Sequence, residues 1–206
     1  MNRYFFSVRY LVPDADVGLL SGRSMTALHY FVINNHPFDI GVSFPCWSAQ
    51  SLGDVMDFVC EDKTKLSLFR ECGYLSMMKG EGLFDVGDVG MVDDESIDEV
   101  RFVRNQGIKK IFPGEMRRRL KRAKKRALER GEAFQPEKLA NQREVERFHS
   151  SFMESSSTGQ SFMLHIQMEA GATYMEKREA GKVFSSYGLA TNQVSRGTVP
   201  IRALVP

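Results

Sequence analysis

The chain has 206 residues, enough for one large domain or two small ones, and its 42% apolar and 26% charged residues are ordinary for a globular protein. No run approaches the length of an apolar membrane span, and the opening Met1-Asn2-Arg3-Tyr4-Phe5-Phe6 lacks the charged-then-apolar layout of a signal peptide. The three cysteines, Cys46, Cys60 and Cys72, are odd in number and show no metal-ligand spacing, which suits buried thiols in a reducing cytoplasm.

Tyr4 to Val12 reads as a strand of aromatic and β-branched residues ended by Pro13. Asp14 and Asp16 then offer helix starts, and Leu20, Leu28, Phe31 and Val32 recur at helical spacing up to Asn34. Asn34-Asn35-His36-Pro37 stops that helix. Ile40 to Phe44 and Val55 to Cys60 read as strands, Lys63 to Cys72 as a helix with Gly73 past its end, and Tyr74 to Met78 and Phe84 to Val92 as strands. Strand, helix, strand, strand, helix, strand is the split βαβ order of ferredoxin-like domains, so the expected class is α+β. An acidic turn at Asp93-Asp94-Glu95 leads to a strand over Glu99 to Asn105, and a basic helix follows from Pro113 to Arg130. Beyond it Arg147 to Met153, Ser161 to Met168 and Phe184 to Leu189 read as extended, with a polar loop at Ser155 to Gly159.

The net charge of +2 conceals a segregation. Between Arg101 and Arg130 there are 13 Lys/Arg against Glu115 and Glu129, a local net of +11; the rest of the chain keeps 15 basic and 24 acidic residues, a net of −9. Pro113 suits a first helical turn, and Met116, Leu120, Ala123 and Ala127 form one narrow apolar stripe. Arg117, Arg118, Arg119, Lys121, Arg122, Lys124, Lys125 and Arg126 cover the other faces. Like charges three and four apart each cost an isolated helix roughly a few tenths of a kcal/mol, so the run needs a reason. A solvated face usually mixes signs, so this one is read as meeting a polyanion, fitted to the phosphates of an A-form RNA groove. Charge alone leaves DNA open.

Several local motifs, in order, resemble the type I-F CRISPR-associated endoribonucleases, the Csy-type enzymes that cut CRISPR repeat hairpins. They are Ile40-Gly41-Val42-Ser43-Phe44-Pro45, the arginine-rich helix, Ser157-Thr158-Gly159-Gln160 with Phe162, Tyr187-Gly188-Leu189, and Val199-Pro200. The resemblance implies an N-terminal ferredoxin-like (RRM-like) domain over residues 1–98 and a smaller C-terminal domain over 99–206 carrying the arginine helix. It implies metal-independent cleavage of precursor CRISPR RNA at the 3′ base of the repeat stem, by attack of a 2′-hydroxyl and with a cyclic phosphate product. The hairpin product would stay bound, with the protein a subunit of the RNA-guided surveillance complex. The run 125–132 is similar to versions from CRISPR-associated transposons, which implies a TniQ-type transposition adaptor as a further partner.

The resemblance also implies roles for single residues. His29 would be the catalytic histidine; its titration near neutrality suits a proton acceptor at a 2′-hydroxyl. A lone histidine among Leu28, Tyr30 and Phe31 is otherwise an ordinary core or surface residue. Ser155 would hold the 2′-hydroxyl, with Ser156 and Ser157 open alternatives in the same loop. Tyr187 would pack against the catalytic pair, and Phe162 would stack on the base beside the cut; both could equally be strand core. Arg104 and Gln106 would read bases at the foot of the stem, since arginine and glutamine can pair in a bidentate way with guanine and adenine. Arg118, Arg119, Arg122, Lys125 and Arg126 would meet RNA phosphates, although Ala123 stands where the family has another arginine. No cofactor and no metal are expected: there is no Asp/Glu/His cluster and no Gly-rich phosphate loop. Two other readings compete with the nuclease. One is a non-catalytic subunit that caps a guide hairpin; the other is a basic DNA-binding or ribosome-associated module.

Overall fold

The structure is a computed structural model, and it describes residues 2–35, 39–93, 98–136, 146–155, 159–171 and 183–202. The proline stop at Pro37, Asp94 and Glu95 of the acidic turn, and Ser156 and Ser157 lie outside these residues.

The elements are β1 (Tyr4–Tyr10), α1 (Val17–Asn34), β2 (Gly41–Ser43), β3 (Val55–Cys60), α2 (Lys63–Arg70), α3 (Gly73–Gly80), β4 (Phe84–Val86), β5 (Gly90–Met91), β6 (Asp98–Arg104), a 3-10 helix (Gln106–Ile111), α4 (Pro113–Glu129), β7 (Phe148–Glu154), β8 (Ser161–Glu169), β9 (Ala190–Thr191) and β10 (Val199–Ile201). The first sheet has the order β2-β3-β1-β4, with β5 also on β1. Every pairing in it is antiparallel, which with one helix after β1 and helices after β3 is the ferredoxin-like arrangement. The chain is α+β, as its periodicities imply.

Two expectations change. Tyr74 to Met78 is helix α3, and the closing strand of the first sheet is Phe84–Val86. Leu75 is buried, and Tyr74 and Met78 pack against the core from one to four positions away, which is helical spacing that a short apolar run disguises. Phe184 to Leu189 is not a strand: Gly188 N donates to Ser185 O at 2.9 Å, Ser185 N to Leu189 O at 2.8 Å, and Gly188 sits at φ +75°. Pairing begins only at Ala190, which lies parallel to Val103 of β6.

The second sheet runs β10-β6-β8-β7 with β9 on β6. The chain divides into one compact unit of 1–104 with 147–206, and a second of 105–146. The boundary expected at 98/99 lies at the start of β6.

Within that unit α1 ties the sheets together. Asp16 caps it, accepting from Leu19 N at 2.9 Å, and Ser21, Met25, Leu28 and Val32 form its buried stripe. Gly18 and Gly22 lie directly on β7: a Cβ at Gly22 would stand 2.0 Å from Phe152 O. A buried ion pair also links the ends of the unit. Arg202 donates to Asp57 Oδ2 on β3 at 3.0 and 2.9 Å and to Ser7 Oγ on β1 at 2.8 Å, and its guanidinium lies 3.3 Å from the Phe5 ring centroid.

Candidate functional site

The motifs at 40–45, 187–189 and 199–200 are far apart in the chain and meet in space. Val42 N donates to Gly188 O at 2.8 Å, and Ser43 Oγ donates to Pro200 O at 2.9 Å. A Cβ at Gly188 would stand 2.5 Å from Val42 Cγ2, 2.8 Å from Leu28 Cδ2 and 3.1 Å from Ile40 O. Only glycine permits both this approach and this φ. The turn over 185–188 is thereby wedged between β2 and the stripe of α1.

That wedge delivers Ser186 and Tyr187 to His29. His29 lies one residue beyond the buried Leu28, at the half-buried margin of α1. Its Nδ1 is 2.8 Å from Ser186 Oγ. The Tyr187 ring stacks on the imidazole, with centroids 4.4 Å apart and planes 11° from parallel. Arg104, at the end of β6, holds its guanidinium 5.5 Å from the Tyr187 ring centroid. Burial, and then the positive charge of Arg104, push the His29 pKa below its ordinary value. Both causes favour the neutral ring, the form able to accept a proton. Tyr30 closes in from the helix, its centroid 6.0 Å from His29.

His29, Tyr187 and Arg104 are thus gathered into one layered cluster. Ser155 opens the connection from β7 to β8, where its N–H donates to Gln160 O at 2.9 Å and its carbonyl accepts from Gly159 N at 2.7 Å. The hydroxyl at the His29 ring is that of Ser186, which sequence reasoning did not single out. Its only clue in the chain is that it precedes Tyr187. Phe162 pairs across from Met153 in the β7–β8 hairpin and packs, half-buried, on the core. Gln106 opens the 3-10 helix behind the Asn105 cap, and its side-chain nitrogen is buried with no hydrogen-bond partner among the described residues. The Arg104 Nε is in the same condition.

The remaining described histidines have structural partners. His165 is buried with Nδ1 2.8 Å from Ser150 Oγ, and His149 sits edge-on to Trp47 with Nε2 3.0 Å from Ser48 O. Among the described residues no group of three or more His, Cys, Asp or Glu could hold a metal ion, and no helix is long and apolar enough to cross a membrane.

Helix α4 is taken by itself. Ala127 is buried and Leu120 and Ala123 are half-buried, while Met116 is more open than the apolar stripe suggests. The charged faces are not uniform. Glu115 reaches Arg118 at 3.7 Å and Arg122 at 3.5 Å, and Glu129 reaches Lys125 at 3.8 Å. The two acids of the run are therefore spent on its own cations, which the sequence reading treated as unpartnered. At about 100° per residue these five side chains share the strip opposite the apolar stripe. Arg117, Lys121 and Lys124 run along one flank and Arg119 and Arg126 along the other, without an ion pair among the described residues. Two rows of cations thus flank a strip whose charge is partly offset by Glu115 and Glu129.

The family model described as CRISPR-associated protein (Cas_Csy4) matches residues 8–201. The chain belongs to the Csy4 family of CRISPR-associated proteins, which process CRISPR RNA. No curated protein matches it. Among solved structures, a crystal structure described as a chlorite dismutase shares 10% identity over 82% of this chain and 79% of its own, at a TM-score of 0.29, a level that carries no argument.

Proposed function

We propose that the chain is a metal-independent endoribonuclease that cuts precursor CRISPR RNA at the 3′ base of its repeat stem and keeps the hairpin product. The observation that carries this reading is His29: a half-buried imidazole fixed by Ser186 and Tyr187 in a chain of the Csy4 family.

The 2′-hydroxyl beside the cut loses its proton to His29 Nε2, the nitrogen not engaged by Ser186. The 2′-oxygen then bonds to the adjacent phosphorus, the bond from phosphorus to O5′ breaks, and O5′ takes up a proton from solvent water. The products are a 2′,3′-cyclic phosphate and a 5′-hydroxyl. Ser155, or Ser156 or Ser157 beside it, holds the 2′-hydroxyl; Phe162 stacks on the neighbouring base. Arg104 and Gln106 read the foot of the stem. The free cations of α4, Arg119 and Arg126 among them, hold its phosphates, and Arg118, Arg122 and Lys125 join them by exchanging Glu115 and Glu129 for RNA. The protein works in the cytoplasm as a subunit of the type I-F RNA-guided complex. A TniQ-type adaptor rests on residues 125–132 alone, and neither the family match nor the site adds support for it.

The test is cleavage of the cognate repeat hairpin in EDTA. Wild-type protein yields the cyclic phosphate by mass spectrometry. His29→Ala binds the hairpin with unchanged affinity and cuts at least about 100-fold more slowly, the lower end of what a general base contributes. Binding without cutting by the wild type would favour a hairpin-capping subunit instead. Preference for duplex DNA would remove the reading altogether.

A further inference from the structure

We propose that Ser186 is the residue that positions His29, selecting the ring tautomer in which Nδ1 carries the proton and Nε2 is the outward acceptor. The inference rests on the nuclease reading above for its catalytic purpose, and on geometry for the contact itself.

A neutral imidazole has one donor and one acceptor nitrogen, and the partner of one nitrogen decides the state of the other. Stacking by Tyr187 fixes the plane of the His29 ring and leaves its rotation within that plane open. Ser186 Oγ, at 2.8 Å from Nδ1, removes that freedom. The stacking partner and the hydrogen-bonding partner are successive residues of one turn. That turn is locked by the Gly188 carbonyl on Val42 N and by the close packing of Gly188 on Leu28, the residue immediately before His29. Nδ1, pointed at the turn, is the covered nitrogen, so Nε2 is the nitrogen left to meet RNA. A serine hydroxyl can accept as well as donate. When it accepts from Nδ1–H, the Nε2 lone pair is free to take the 2′ proton. The same acceptor also stabilises the imidazolium formed once that proton has arrived, because the imidazolium still donates from Nδ1. Ser186 touches neither RNA nor the reacting atoms in this scheme; it acts through His29.

The experiment uses the full chain with its repeat hairpin, comparing wild type with Ser186→Ala and Ser186→Thr. Single-turnover cleavage at saturating protein is followed from pH 5 to pH 9, hairpin affinity is measured separately, and the His29 ring nitrogens are observed by 15N NMR. For Ser186→Ala the expected results are cleavage slower by about 10-fold, a fraction of the roughly 100-fold or more that a general base contributes, and unchanged affinity. The midpoint of its acid limb moves to lower pH, and the His29 signals shift away from the Nδ1–H form. Ser186→Thr keeps the hydroxyl and restores both rate and tautomer. A Ser186→Ala protein with the wild-type rate profile and wild-type ring signals overturns the proposal. Should the wild type itself not cut, the nuclease reading fails, and the ring signals still decide whether Ser186 holds the tautomer.

Discussion

At His29 a single imidazole is held by two side chains of a turn 157 residues away in the chain, and the turn is wedged so closely that one position must be glycine. Along α4 eight cations stand on one helix, three of them in long, exposed ion pairs and five in none among the described residues. On the proposed reading, the first region concentrates its function in a few fixed atoms, where a displacement of about 1 Å can cost on the order of 100-fold in rate. The second would spread its function over many interchangeable charges, each contributing a small increment to the affinity for a polyanion. The contrast predicts that damage at His29 appears in the chemical step, and damage along α4 appears in binding.

The sharpest way to break the comparison is Gly188→Ala. The added Cβ collides with Val42 and Leu28 at a φ that alanine tolerates poorly. Cleavage is expected to fall by about 100-fold at saturating protein, and urea unfolding to lose about 1–3 kcal/mol. A variant that is less stable but cuts normally would mean the turn does not fix the site. Next comes the helix. Arg119→Glu with Arg126→Glu is expected to flatten the log–log salt dependence of hairpin binding by roughly 1.5, two contacts at about 0.7–0.9 each. The cleavage rate of the bound complex should stay at its wild-type value; a fall in that rate would bring α4 into the chemistry.

A smaller effect tests the link between Arg104 and His29. Protonated His29 cannot accept the 2′ proton, so the rate rises with pH as the ring loses its proton and levels off above its pKa. Because burial and Arg104 depress that pKa, the acid limb should lie lower than for an ordinary histidine. Arg104→Gln removes the second of these causes, so the midpoint moves upward toward the ordinary value. An unmoved midpoint in the pH profile would show that Arg104 serves only RNA recognition. The smallest effect is expected for Arg118→Gln. The side chain is 75% exposed and its bond to Glu115 is 3.7 Å long, so thermal unfolding should change by less than about 1 kcal/mol.

The local code was readable where the chain alternates or repeats over many residues. β1, α1, β3, α4, β7 and β8 all lie within a residue or two of their expected limits; β1 alternates and α1 carries a helical stripe, while β3 is a largely apolar run buried along its whole length. α3 was misread because a five-residue run with four apolar side chains fits both periods. The turn at 184–189 was misread because its aromatic and leucine residues look extended, while its shape is set by contacts with Val42, Leu28 and Ile40 far away in the chain. His29 and Tyr187 were named from a family likeness and do meet. Ser186 carried no signal of its own beyond standing next to Tyr187. The pairing of Glu115 with Arg118 and Arg122 was legible in principle, at spacings of three and seven, but the surplus of positive charge drew attention from it.

The bond from Arg202 to Asp57 has a bearing on how the molecule comes into being. Domains emerging from a ribosome tend to fold N-terminal part first. Here β3 buries a carboxylate in the middle of the first sheet, and its guanidinium is supplied 145 residues later. Until that arginine arrives, the nascent ferredoxin-like half carries an unmatched acid at its centre, favoured in its protonated form by burial. The first sheet is therefore sealed only when the second has been made. A truncated product of translation would hold the histidine, but neither the arginine that completes the sheet beneath it nor the turn that aims it.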